Sequence, residues 1–347
     1  MSAYFDSVIH SRYSKAEAAS RKPLRIYFDL SRQEKWHRLE WEKMLSVMQQ
    51  NGNGDSSLAE SPDKADCIID TVSNWHFAKG GRVFGPRRIE ASGASRFVWD
   101  SGDFPTGRDA GFYCSLPRQL YDRQRHRSLS YPIRYNECVS RFGLDEAKVL
   151  YGFCGGITSG LRGRMLTALR RSGRSDDMQL VIQNGPWNQM FDRSGVPAKQ
   201  QYAEVLRRSR FFLCPRGNGV GSIRLFETMQ AARVPVIIAD DYVVPPNINW
   251  QKCAVIIRER EIHKIAEVIL SRADDWPRLA ENARHIWEQH FSEPALLGNL
   301  ARNLRELMAK GAEETLEHQA RVAAYWLKRS TRIYLGKAWS SLHRKQS

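Results

Sequence analysis

The residues best suited to chemistry crowd into one stretch of this chain. Between residues 211 and 241 a short apolar strand ends at Cys214 and runs through Pro215 and Arg216 into a turn bearing Gly217, Gly219 and Gly221. Ser222 then opens a helix carrying Arg224 and Glu227, and residues 234–239 read as a second buried strand. Glycines at a strand-to-helix turn let backbone N–H groups approach phosphate, and a helix N-terminus adds partial positive charge. Arg216 and Arg224 add full charges on either side of the turn. Their spacing of three residues puts Arg224 and Glu227 on one helical face, and Ser222 is a natural N-cap. The pattern predicts a diphosphate held by Arg216, Gly221, Ser222 and Arg224, with Glu227 accepting hydrogen bonds from ribose hydroxyls. The structural alternative is an Arg224–Glu227 ion pair on a solvated face. Ile223, Leu225, Phe226 and Met229 on the same helix argue for burial instead.

The same glycines permit a second reading. Gly217-x-Gly219-x-Gly221 after a strand, with Asp240 about twenty residues on, mimics a dinucleotide-binding fingerprint and would suit an NAD(P)-dependent oxidoreductase. The last glycine stands one position early, and Pro215-Arg216 separates strand from turn.

The elements that must position these groups follow from pattern. A chain of 347 residues with 42% hydrophobic and 10% aromatic content is long enough for two cored domains. Residues 24–30 read as a strand, 34–49 as a helix with Trp41, Met44, Leu45 and Met48 at helical spacing, and 51–63 as a loop. Short strands at 65–69 and 96–99 complete an α/β unit ending near residue 145. Strands at 149–154, 179–183, 211–214, 234–239 and 253–257 alternate with helices at 161–171, 199–208, 222 onward, 262–270 and 276–290. Such alternation implies a mostly parallel sheet with its ligand at the carboxyl ends of the strands. The expected division is a loose 1–21, a first α/β domain over 22–145, a second over 146–292, and a helical tail over 293–347. The tail is basic and amphipathic, which fits a helix packing back across the domains or an interfacial membrane helix. The six cysteines show no paired spacing and read as reduced core thiols.

A net charge of +15 points to an anionic partner. No aromatic RNA-binding pattern or zinc finger accompanies it, so nucleic acid is not expected and a phosphorylated small molecule is. A non-enzymatic polyanion- or membrane-binding protein is the third reading. No apolar run approaches the ~20 residues of a membrane span, and the N-terminus has no signal-peptide pattern, so a cytoplasmic setting is expected, with peripheral contact to an anionic membrane face.

Cys214-Pro215-Arg216-Gly217, Ser222-x-Arg224-Leu225-Phe226-Glu227-x-Met229 and residues 234–238 together resemble the donor-site signature of exostosin-like glycosyltransferases. Asp241, Val244-Pro245 and Asn249-Trp250 extend the resemblance, and Gly152-Phe153-Cys154-Gly155 with Arg162 resembles the opening of the family's donor domain. The likeness covers roughly residues 149–270 and thins toward the N-terminus. It implies a GT-B fold, two Rossmann-like domains facing across a cleft, with C-terminal helices. It implies inverting transfer of a sugar from a nucleotide sugar, most often UDP-linked, to a glycan or lipid-linked glycan, with no metal and no cofactor. Arg162, Arg216 and Arg224 would stabilise the departing diphosphate, and Glu227 would hold the ribose. An inverting enzyme needs a general base for the acceptor hydroxyl. In this architecture it comes from the first domain, where residues 99–105 offer Asp103, then Asp100, beside aromatic rings; His76 is a third candidate. Turn capping is the structural role that either aspartate could fill instead.

Overall fold

The structure, a computed structural model, describes residues 22–33, 35–51, 54–73, 93–132, 136–183, 196–310 and 315–343, with the side chains of 35, 36 and 330–343 left aside. His76 lies outside the described residues. Two fully parallel sheets account for the strands. The first joins β1 (Leu24–Asp29), β2 (Ser56–Leu58), β3 (Cys67–Val72), β4 (Ser95–Asp100), β5 (Gly111–Tyr113) and β6 (His126–Ser128) in the order β2-β1-β3-β4-β5-β6. The second joins β7 (Val149–Gly155), β8 (Met178–Ile182), β9 (Ser209–Pro215), β10 (Val234–Ile238) and β11 (Val255–Ile256) in the order β11-β10-β9-β7-β8. Parallel pairing needs crossovers that cover both faces, which is why β3 and β10 are buried along their whole lengths. The molecule thus has two Rossmann-like α/β domains in the GT-B arrangement.

Chain order sets where a ligand can sit. From β7 the chain goes to β8 on one side, then returns to β9 on the other. The crossovers diverge there and leave a crevice at the carboxyl ends of β7 and β9, the topological switch point of such sheets. Helices α2 (Gly160–Arg171), α3 (Val196–Arg208) and α4 (Ile223–Gln230) connect these strands. Beyond them come α5 (Ile265–Leu270) and α6 (Trp276–His290).

The C-terminal helices return to the first sheet. In α7 (Glu293–Ala309), Leu296, Leu297, Leu300, Leu304 and Leu307 join one core with Leu24, Ile26 and Trp99, and with Trp41 and Met48 of α1 (Lys35–Gln50). Trp41 meets Trp99 edge-on, ring centres 5.1 Å apart. In α8 (Leu316–His343), Val322 packs with Val72, Val98 and Tyr113. His318 Nε2 lies 2.7 Å from the Gly107 carbonyl oxygen, and Trp326 Nε1 donates to that of Thr106 at 3.0 Å. The tail therefore packs back over the first domain through residue 329. No helix among the described residues is long and apolar enough to cross a membrane. Going the other way, residues 136–142 already rest on the second domain, where Val139 is buried against Cys154, Tyr202 and Phe212.

One local expectation is corrected: the loop at 51–63 contains β2, a three-residue edge strand. Two equally short strands, β5 and β6, stand where the pattern assigned no element. Three residues are too few for an alternation pattern to register. All six cysteines are free, and only Cys138 is not fully buried.

Candidate functional site

Arg162, two residues into α2, reaches into the switch-point crevice. Its Nη1 donates to Gly156 O at 2.9 Å, its Nε to Arg216 O at 3.2 Å and its Nη2 to Pro215 O at 3.3 Å, tying the ends of β7 and β9 together. Arg224 enters from α4. Its Nε donates to Cys154 O at 2.9 Å, and its guanidinium lies 5.6 Å from the Phe153 ring centre and 5.9 Å from that of Tyr202. The Arg162 guanidinium lies 6.0 Å from the same Phe153 ring. Gly155, at φ +151°, makes this possible, because a Cβ there would stand 2.8 Å from the Arg224 Cζ. Among the described residues, both guanidiniums hydrogen-bond only to carbonyls, and neither has a carboxylate in ion-pair contact. Burial, reinforced by the Arg224 charge, pulls the pKa of Arg162 down to about 9. Two like charges this close repel, and an anion between them would offset that repulsion.

Glu227 shares the helical face of Arg224, but no ion pair joins them among the described residues. Instead Tyr202 Oη donates to Glu227 Oε2 at 2.6 Å. Burial raises the Glu227 pKa, opposed by Tyr202 and Arg224. Its carboxylate borders a recess of about 420 Å³ with Tyr131, Asn136, Gln230 and Trp287. Tyr202, an unremarkable member of α3's buried face, carried no sequence signal for this role.

Arg216 does not join the other two arginines. Its Nε and Nη2 grip Glu259 at 2.6 and 3.1 Å, and the Glu259 N–H donates to Asp240 Oδ1 at 3.0 Å. Glu259 opens a 3₁₀ turn after β11, 43 residues away, so no local pattern pairs it with Arg216. What Arg216 offers the crevice is its carbonyl, which accepts from Arg162 and, at 3.2 Å, from Ser159 Oγ. Ser222 sits at the N-cap position but makes no capping bond, and its Oγ is buried with no partner among the described residues.

The glycine turn divides its work. Gly217 faces the arginines, since a Cβ there would lie 3.1 Å from Arg162 Nη2. Gly219 and Gly221 face the first domain. A Cβ on Gly219 would lie 2.8 Å from the Asp103 carbonyl oxygen, and the Gly221 N–H donates to Ser115 Oγ at 2.9 Å. The two later glycines therefore admit the opposite domain's backbone to the turn.

Asp103 is the first-domain group that reaches across. Its carboxylate accepts from the Gly219 N–H and the Asn218 side chain and lies in the field of Arg162 and Arg329. Burial outweighs these contacts and pushes its pKa up to about 6. Asp100 takes the capping role instead. It is 1% exposed, and its Oδ1 accepts the Gly102 N–H at 2.9 Å, an Asx turn that fixes the loop carrying Asp103. Among the described residues no group of three or more His, Cys, Asp or Glu side chains could hold a metal ion.

Known proteins share this second domain. Residues 146–272 match the family model described as the Exostosin GT47 domain. An Exostosin-1 homolog of Caenorhabditis elegans is 34% identical over 26% of this chain and 25% of its own length. Exostosin-1 of Bos taurus is 38% identical over 27% of this chain and 13% of its own length. A probable glycosyltransferase of Arabidopsis thaliana is 28% identical over 41% of this chain and 32% of its own. The chain thus spans a third or less of these relatives. Among solved structures, a glycosyltransferase from Rickettsia africae gives a TM-score of 0.43 at 9% identity, covering 84% of this chain and 99% of its own. The lipopolysaccharide outer core galactosyltransferase WaaB gives 0.43 at 10%, covering 83% of this chain and all, 100%, of its own. Structural likeness that low carries no functional information. The sequence match spans β7 to α5 and includes Arg162, the glycine turn, Arg224 and Glu227, so residues 146–272 are similar to an exostosin GT47 domain.

Proposed function

We propose that this chain transfers a sugar from a nucleotide sugar, a UDP-linked donor, to a glycan or lipid-linked glycan acceptor, with inversion and without a metal or other cofactor. One observation carries the reading: the buried Arg162 and the half-buried Arg224 converge at the strand ends, and among the described residues neither is in ion-pair contact with a carboxylate. A diphosphate would supply a counter-ion. The N-termini of α2 and α4, Gly217 and the unpartnered Ser222 hydroxyl add donors around it. As the bond to the sugar breaks, negative charge grows on the diphosphate, and fixed cations in a low-dielectric crevice stabilise that charge without reorganising. Glu227, steadied by Tyr202, would receive ribose hydroxyls at the edge of its recess. From the other domain, Asp103 would take the acceptor's proton, since a carboxyl titrating at about 6 is ionised at neutral pH yet more basic than a free aspartate. The dinucleotide reading loses support because Gly219 and Gly221 lie against the first domain's backbone and not an open pyrophosphate cradle.

The test is calorimetry with UDP, GDP and NAD in the presence of a chelator, followed by a donor-hydrolysis screen over nucleotide sugars. UDP is expected to bind without metal. Arg224→Met should weaken UDP by about tenfold or more, the size of a charge-assisted hydrogen bond. Failure of both UDP and GDP to bind, or preferential binding of NAD, overturns the proposal.

A further inference from the structure

A second recess, of about 230 Å³, lies where the first domain, the glycine turn and α8 meet. Asp103, Phe104 and Asn218–Val220 form one side, and Tyr325, Trp326 and Arg329 of α8 form the other. Trp326 is anchored by its bond to Thr106 O and meets Tyr325 edge-on, ring centres 5.4 Å apart. Arg329 lies 4.6 Å from the Phe104 ring centre and donates Nη1 to Tyr325 Oη at 3.4 Å. Among the described residues its Nε is buried without a partner and no carboxylate ion-pairs with it. Its charge does act on Asp103. Three aromatic rings, the Arg329 side chain and the proposed base thus line one small space.

We propose that this recess is the acceptor subsite and that it takes an anionic sugar, one bearing a carboxylate or a phosphate. The inference rests on the glycosyltransferase reading above. Aromatic rings present flat apolar faces to the C–H face of a sugar ring, and a guanidinium fork matches carboxylate and phosphate alike. Asp103 at the inner end then meets the hydroxyl to be glycosylated, while Arg329 balances the acceptor's charge against that of Asp103. On this account the C-terminal helix is part of the substrate site, and Trp326 and Arg329 set acceptor specificity.

The experiment uses the full chain, saturated with UDP, and three probes: methyl glucoside, methyl glucuronide and methyl glucoside 6-phosphate. Binding is followed by saturation-transfer NMR. At least one anionic glycoside should bind about tenfold more tightly than the neutral one, as one charge-assisted hydrogen bond provides. Which anion is preferred tells carboxylate from phosphate. Arg329→Gln should erase the preference, Arg329→Lys should keep part of it, and Trp326→Ala should weaken all three probes together. Equal binding of all three probes, or a preference that survives Arg329→Gln, overturns the inference. UDP affinity, measured separately by calorimetry, reports the donor reading: if UDP itself fails to bind, that reading has failed and not merely this one.

Discussion

Asp100 ends β4 and Asp103 follows three residues later in the loop, yet their surroundings give them different chemistry. Asp100 spends an oxygen on the Gly102 N–H and lies sealed beneath the turn. Asp103, half-buried as a residue, holds a carboxylate whose pKa is raised to about 6, chiefly by burial. The sign of the pH effect follows directly. Below about 6 the group is protonated and cannot accept a proton; above it the group is ionised and can. The rate of transfer at low acceptor concentration should therefore rise with pH through an apparent pKa near 6 and level off above it. Asp103→Asn should lower kcat by about 10²–10⁴-fold and remove that limb of the profile. An interdomain positioning role for Asp103 gives a different result, a raised acceptor KM with the limb intact. Full pH profiles of both proteins decide between them.

At the scale of elements, much of the fold was legible because the second sheet's strands are long and continuously apolar. The predicted strand at 149–154 appears as β7 at Val149–Gly155, and the predicted helix at 276–290 appears as α6 with the same ends. The glycine turn, Arg224 and Glu227 were equally readable, since their spacing is local. Partnerships between distant residues were not. Glu259 claims Arg216 from 43 residues away, and Tyr202 reaches Glu227 from a different helix. Nor does the amphipathic pattern of α7 say which sheet it will cover, because its leucines would fit any apolar face. In the structure they complete the first domain's core although they follow the second domain in sequence. Leu300→Ala, at a side chain with 0% exposure, should therefore destabilise the first domain by about 2–5 kcal/mol. Urea unfolding followed by tryptophan fluorescence, which Trp41 and Trp99 report from the same core, measures it. A loss within a few tenths of a kcal/mol would mean that α7 is a detachable appendage.

At the scale of the whole molecule, the two domains meet through backbone as much as through side chains. Pro117 and Tyr242 form an isolated antiparallel bridge, Arg118 N donates to Asp241 O at 2.8 Å, and Arg118 Nη2 donates to Tyr242 O at 3.1 Å. Beside this seam, Gly219 lies against backbone, with the Asp103 carbonyl oxygen and Cα 2.8 and 2.9 Å from where its Cβ would be. Those atoms belong to the backbone and cannot rotate aside, so one added methyl must push the domains apart or displace the loop that carries Asp103. The arginine crevice faces Gly217 and should be spared. Gly219→Ala is therefore expected to leave UDP affinity within about twofold while cutting transfer by about tenfold or more, because displacing a reacting group by about 1 Å can cost ~10²-fold. Calorimetry and initial rates on the same preparation separate the two effects. Loss of UDP binding in step with transfer would place the diphosphate on Gly219 itself, and a variant that transfers normally would show that the seam has slack the structure does not suggest.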